Sequence, residues 1–296
     1  MITKKQFDIL EALAESKTAL SQRSIATAVS ASIGSVNKTV SELTEAGFIA
    51  DGAITDAGLD ALEPYRAKRA VFIAAGFGSR LVPITLNTPK PLVRVNGKRI
   101  IDSLLDAVTA AGISEIYIVR GYLGEQFDQL LYKYPNIKFI ENPIYNESNN
   151  ISSIMCASYL LKNAYVCEAD LLLYNPKIIK RYQYYSNYIG VPVKKTDDWC
   201  LKTNSKGVIT SIGLGGTDCY HMFGISYWNE QDGSRLVEHV NETYNSPGGK
   251  ERYWDQVALE YHIDQYEIHI RECSFDDITE IDTFNELKKL DKTYDI

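Results

Sequence analysis

The residues best equipped for chemistry lie in one run, Ala74-Ala75-Gly76-Phe77-Gly78-Ser79-Arg80-Leu81-Val82-Pro83-Ile84-Thr85, which closes on Thr88-Pro89-Lys90-Pro91-Leu92. Gly76 and Gly78 let the backbone approach a ligand closely, and consecutive N–H groups can line an anion-binding nest. Arg80 and Lys90 add fixed positive charge. A displacement that expels pyrophosphate builds negative charge on the leaving group, and cations held there lower the barrier. The run is not a P-loop, because no Gly-Lys-Ser/Thr follows it. A triphosphate is the expected ligand, with contacts along Ala74, Ala75, Gly76, Gly78 and Ser79.

Two carboxylates stand where such a loop could use them. Asp170 ends the strand Tyr165-Val166-Cys167-Glu168-Ala169, and Asp282 precedes the last helix in Ile278-Thr279-Glu280-Ile281-Asp282-Thr283. Taken alone, each has a bland reading, a strand-end turn for Asp170 and a helix N-cap for Asp282. In a regular strand Glu168 and Glu280 share a face with the Asp two residues on, so both stay open as alternatives. The chain has three Trp, namely Trp199, Trp228 and Trp254. Aromatic faces suit a quaternary ammonium, at roughly 0.5–2 kcal/mol each, although the commoner place of Trp is the core. Trp228 is read as core. Tyr227 and Tyr253 could add walls, and Asp197, Asp198 or Asp255 negative charge. Lys194 or Lys195 could meet an acceptor phosphate.

These groups need a scaffold, and the pattern supplies one. Strands are expected at 70–75, 115–119, 137–141 and 164–168. Helices are expected at 100–111, 123–134 and 150–161. The alternation predicts an α/β fold with a mostly parallel, Rossmann-like sheet covered on both faces. Consecutive strands over about 187–227 predict an antiparallel extension. Ligands in such sheets sit at the carboxyl ends of the strands.

Residues 1–66 read as a separate small domain, and residues 69–296 as the α/β domain. Helical spacing covers 4–16, Ser21 can cap 22–29, and Ser32 or Ser35 can open a third helix reaching Ala46, which Gly47 ends. Asp51-Gly52 is a hairpin turn, and Asp56 can cap a last short helix. Three helices followed by a hairpin is the order of a winged helix-turn-helix, with 33–46 as the recognition helix. The charge tempers a DNA-binding reading. Residues 1–66 hold six Lys/Arg against nine Asp/Glu, a net of −3, and the recognition helix carries only Lys38 as a cation. Phosphate contacts normally dominate DNA affinity.

The whole chain has 296 residues and a formal net charge of −7, which does not suggest a general nucleic-acid binder. Its five Cys and four His show no metal-ligand spacing, so a structural zinc site is not expected. With no signal-like or membrane-length apolar run, the expectation is a soluble cytoplasmic protein.

The glycine-rich run resembles the signature of the nucleotidyltransferase superfamily. Further stretches narrow the likeness: Gly121-Tyr122-Leu123-Gly124-Glu125-Gln126-Phe127, Asn149-Asn150-Ile151-Ser152-Ser153, Glu168-Ala169-Asp170, Thr196-Asp197-Asp198-Trp199, Gly224-Ile225-Ser226-Tyr227-Trp228, Tyr253-Trp254-Asp255 and Glu280-Ile281-Asp282. In order and spacing, from about Arg69 onward, the chain resembles the bacterial CTP:phosphocholine cytidylyltransferases. The N-terminal module is a departure from the simplest members. The resemblance implies Mg²⁺ held by Asp170 and Asp282, and nucleotide contacts from Gly121, Tyr122, Asn150 and Ser152. It places Trp199 and Trp254 near a choline group, and it makes Arg80, Lys90 and Asp170 the catalytic set. CTP and phosphocholine are the expected substrates. The alternatives are 2-aminoethylphosphonate or phosphoethanolamine as acceptor, a sugar 1-phosphate, and a regulator that only senses the ligand. DNA contact through the module and homodimer formation stay open.

Overall fold

A computed structural model describes residues 1–16 and 18–295; Lys17, one of the six N-terminal cations, lies outside the described residues. Two compact units are present. One is Met1–Arg66 with Tyr182–Tyr184, and the other is Ala67–Arg181 with the chain from Tyr185 onward.

The first unit contains α1 (Lys4–Glu15), α2 (Gln22–Ala28), α3 (Ile33–Glu45), the hairpin β1 (Ile49–Ala50) and β2 (Ala53–Ile54), and α4 (Asp56–Leu62). Ser32 rather than Ser35 caps α3, accepting from Ser35 N. Asp51 and Gly52 both have positive φ, at 52° and 76°, which matches the twist of a two-residue hairpin. Thr55, not Asp56, caps α4. Thr55 is the last extended residue, with its hydroxyl 3.1 Å from Gly58 N, and Asp56 is already inside the first turn. Leu10, Ile25, Val36 and Leu43 make the core of this unit. Tyr184, far along the chain, stacks on Tyr65 at 5.2 Å and flanks Phe7.

The second unit is built on a seven-stranded sheet. Its elements are β3 (Arg69–Ala74), β4 (Arg94–Val95), β5 (Lys98–Arg99), α5 (Asp102–Ala110), β6 (Glu115–Arg120), β7 (Ile137–Glu141), α6 (Ile151–Ala157), β8 (Ala164–Glu168) and β9 (Leu171–Leu173). There follow β10 (Asn187–Thr203), β11 (Ile209–Trp228), α7 (Glu230–Asn245), α8 (Trp254–Gln256), β12 (His269–Glu272), β13 (Ile278–Glu280) and α9 (Phe284–Leu290). The sheet order is β12-β10-β11-β8-β3-β6-β7. β8, β3, β6 and β7 run parallel, while β11 is antiparallel to both β8 and β10.

Alternation along β3 explains how both faces are covered. Ala70, Phe72 and Ala74 join the core that holds Leu104, Leu105 and Val108 of α5. Val71 points the other way, toward Ala157 of α6. The helix expected over 123–134 is instead a run of 3₁₀ turns, Gly124–Tyr132. Leu123 starts it at φ 47°, and the Arg120 guanidinium takes the Gly124 carbonyl that a first α-turn would have used. Among the described residues no helix is long and apolar enough to cross a membrane.

Candidate active site

A cleft of about 790 Å³ opens at the carboxyl ends of β3 and β8. The glycine-rich loop lines it. Gly78 sits at φ 62°, and a Cβ there would lie 2.8 Å from Lys90 Cβ, so only glycine lets the loop close over that side chain. Thr85 Oγ1 donates to Gly78 O at 2.9 Å and fixes the turn. At Gly76 a Cβ would meet nothing within 4 Å, because the position faces open space. Ala74, Ala75, Ser79, Arg80, Asn150 and Ser152, all expected nucleotide contacts, also line the cleft.

The charged centre is assembled from three distant stretches. β9 pairs with β13, and Ile281 N donates to Asp170 O, which brings Asp170 and Asp282 to one place. Lys90, 8% exposed, donates to Asp170 Oδ2 at 2.7 Å and to Asp282 Oδ1 at 3.0 Å. Burial alone would lower its pKa, but the two carboxylates outweigh burial and hold it above its ordinary value. Arg80 grips Asp282 with both terminal nitrogens, at 2.7 and 3.0 Å. The Asp282 carboxylate is thus held by cations.

Carboxylate oxygens of Glu168, Asp170 and Glu280 lie within 4.8 Å of one another. Asp170 Oδ1 is buried without a hydrogen-bond partner. Burial, then mutual repulsion with Asp170, raises Glu168 and Glu280 well above the usual carboxylate range. An all-oxygen donor set carrying an unsatisfied buried oxygen fits a hard divalent cation. That group is Asp170 with the two glutamates that pattern left open, while Asp282, the other expected ligand, lines the same cleft and shares Lys90 with Asp170.

The cleft is also lined by Trp199 and Tyr253, in edge contact at 5.6 Å, and by Asp198 and Asp255. Asp255 is buried and accepts from Tyr188 Oη at 3.0 Å. Burial pushes its carboxyl up to about 7, against the lowering effect of that hydrogen bond.

Several expected contacts lie elsewhere. Trp254 is 1% exposed and packs against Tyr188 and Trp228 beneath the cleft, because α8 turns Asp255 rather than Trp254 into the opening. Tyr227 is buried against Tyr165, on the inward-facing side of β11. Trp228 is core, as expected. Lys194 projects into solvent beside Asp218, with its side chain 98% exposed. Gly121 and Tyr122 do not line the cleft either. Tyr122 Oη donates to the carbonyls of Thr85 and Leu86, so its ring braces the outer side of the loop.

Residues that sequence reasoning passed over are Asn142, Tyr145 and Ser148. All three lie between β7 and α6, at the carboxyl end of a parallel strand, and that position was the signal for them.

A glycine-rich loop at the end of the first parallel strand, a buried lysine between two aspartates and a carboxylate cluster at the next strand define a nucleotidyl-transferring enzyme. Comparison agrees. The family model described as "Nucleotidyl transferase" matches residues 69–186, and "Winged helix-turn-helix DNA-binding" matches residues 2–50. The chain is 37% identical over 228 residues to a 2-aminoethylphosphonate cytidylyltransferase from Lancefieldella rimae, covering 76% of this chain and 92% of that one. It is 34% identical over 220 residues to a choline-phosphate cytidylyltransferase from Haemophilus influenzae, covering 73% and 93%. The solved CTP:phosphocholine cytidylyltransferase from Streptococcus pneumoniae superposes with a TM-score of 0.71 at 30% identity, covering 76% of this chain and 98% of that one. The chain belongs to the nucleotidyl transferase family, and the relatives it matches nearly end to end carry cytidylyltransferase names.

Proposed function

We propose that this enzyme transfers CMP from CTP to a small acceptor that joins a phosphate or phosphonate to an ammonium group, releasing pyrophosphate. The observation that carries this reading is the lining of the cleft. It combines Arg80, Lys90 and the glycine-loop backbone, which suit phosphates, with Trp199, Tyr253, Asp198 and Asp255, which suit an ammonium group. The names of the end-to-end relatives support CTP as the donor.

An acceptor phosphate is already an anionic nucleophile, so no general base is needed. Catalysis is positioning plus neutralisation of charge. Lys90 and Arg80 face the phosphates, and the loop N–H groups orient them. Glu168, Asp170 and Glu280 would hold a divalent cation, which supplies Lewis-acid charge to a phosphate oxygen.

The lining of the cleft supports an order of preference among the acceptors. With Trp254 and Tyr227 in the core, two aromatic walls remain, and a buried carboxylate stands beside them. A primary ammonium needs hydrogen-bond acceptors, which favours 2-aminoethylphosphonate or phosphoethanolamine. Phosphocholine is the second reading, favoured by the Trp199–Tyr253 pair. A sugar 1-phosphate would need a polar pocket where Trp199, Leu214 and Met222 stand.

The test is pyrophosphate release with MgCl₂ across the four common NTPs against 2-aminoethylphosphonate, phosphoethanolamine, phosphocholine and glucose 1-phosphate. CTP with a primary-amine acceptor supports the first reading, and CTP with phosphocholine the second. Release with glucose 1-phosphate alone sinks both.

For the N-terminal unit, the match over residues 2–50 supports DNA contact through the exposed Asn37, Lys38 and Ser41 of α3. Its net charge leaves few phosphate contacts. Fluorescence anisotropy on the full chain should give a slope of log affinity against log salt shallower than about −3 per unit. No binding to random-sequence duplex at low salt would remove this reading.

A further inference from the structure

Three aromatic side chains line the cleft among the described residues. Trp199 and Tyr253 touch each other, which leaves Tyr145. The order of strands separates them. The Trp199 wall comes from β10, the carboxylates follow β8, the phosphate loop follows β3, and Tyr145 lies over the residue that follows β6. Along the sheet, β11, β8 and β3 therefore lie between the strand that carries Trp199 and the one whose end lies under Tyr145, while Tyr253 comes from the segment before α8, which bonds to Asn149 and Asn150.

Its ring is held there by construction. A Cβ on Gly121 would lie 2.6 Å from Tyr145 Cγ, a distance that real side chains do not adopt, so the missing side chain at 121 is what admits the ring. Phe77, next to the phosphate-binding glycines, packs against Tyr145 at 5.3 Å and against Tyr122 at 5.0 Å. Tyr122 N donates to Ala75 O and ties the Gly121 turn to the loop. Gly121 and Tyr122, expected from sequence to touch nucleotide, instead build the mount for another residue.

We propose that Tyr145 is the platform on which the nucleobase stacks. This rests on the nucleotidyl-transfer reading above and adds to it the residue that receives the base. The argument is one of shape and chemistry. A triphosphate on the 76–80 loop, with the acceptor held at Trp199 and Tyr253, leaves the base to the remaining part of the cleft. A base offers a flat π-face, and the one ring available there is preorganised by packing on two sides. Base–aromatic stacking tolerates any base, so the platform supplies affinity and leaves discrimination to neighbouring polar groups such as Asn142 and Ser153.

The experiment is calorimetric binding of CTP, and separately of pyrophosphate, to the full chain as wild type, Tyr145→Phe and Tyr145→Ala. Tyr145→Phe keeps the ring and should stay within about twofold for CTP. Tyr145→Ala should weaken CTP by roughly ten- to a hundredfold while leaving pyrophosphate affinity unchanged, a split that general misfolding would not produce. Gly121→Ala, which displaces the ring, should weaken CTP without touching the platform residue. Wild-type CTP affinity in Tyr145→Ala overturns the proposal, as does equal loss of CTP and pyrophosphate. If wild type binds another NTP in place of CTP, the same comparison is made with that nucleotide, so the donor reading fails while the platform is still judged. If wild type binds no NTP, the platform falls as well.

Discussion

Lys90 bonds to two carboxylates at once, at 2.7 Å to Asp170 and 3.0 Å to Asp282, with its own side chain 10% exposed. A lysine so placed is locked in its charged form and lines the cleft together with the glycine-rich loop. Arg80 has its side chain 66% exposed and pairs with Asp282, so its removal should cost the fold little. Arg80→Ala is expected to lose roughly 10²–10³ in kcat with an unchanged melting temperature. Near-wild-type pyrophosphate release would remove it from the machinery. Gly76 makes a complementary point. An alanine there meets no protein atom within 4 Å, so any defect must come from the ligand side. Gly76→Ala should keep its stability and raise the KM for CTP. Unchanged KM would show that the phosphates do not approach that backbone.

At the scale of elements, α8 decides what two neighbouring residues do. It is three residues long, and it buries Trp254 under the cleft while presenting Asp255 to it. The two tryptophans expected near a choline group therefore separate in role. Trp254→Ala should cost about 3–5 kcal/mol of stability, the usual range for a buried large aromatic. Trp199→Ala should leave the melting temperature within a degree or two. It should also raise the acceptor KM by less than about thirtyfold, the limit set by one cation–π contact. Denaturation curves and initial rates on both variants check this. A stability loss in Trp199→Ala larger than in Trp254→Ala would reverse the assignment. The 3₁₀ run at 124–132 teaches the same lesson. A side chain from β6, Arg120, took a carbonyl that helix propensity assumed was free.

At the scale of the whole molecule, the second unit concentrates buried carboxylates at one spot. Asp255 is pushed up to about 7 by burial, and Glu168 and Glu280 are raised in the same direction. An unfolded Asp titrates near 3.9, about three units lower. Between about pH 4 and pH 7 the folded chain therefore binds more protons at Asp255 than the unfolded chain does, and stability falls as pH rises through that window. Melting temperatures from pH 4.5 to 8 in the absence of divalent cations should show the decline, and Asp255→Asn should flatten part of it. A melting temperature that climbs steadily across the window would contradict the buried, protonated state of this carboxyl.

Sequence alone determined what depends on local pattern. The period-2 and period-3.6 runs gave strands such as Ile137–Glu141 and helices such as Lys4–Glu15. Gly76, Gly78, Arg80 and Lys90, which the structure brings to one cleft, point to a phosphate loop because backbone access and fixed charge are properties of residue type and spacing. Tertiary structure decided which way side chains face across long separations. Neither the burial of Trp254 and Tyr227, nor the solvent position of Lys194, nor the grouping of Glu168 with Glu280 beside Asp170 can be read from one stretch of chain. Each depends on which element packs behind it. The Gly121–Tyr145 contact is the clearest case. Gly121 looked like a ligand-facing glycine, but the atom that its missing side chain accommodates belongs to Tyr145, a partner that exists only once β6 and the loop after β7 are side by side.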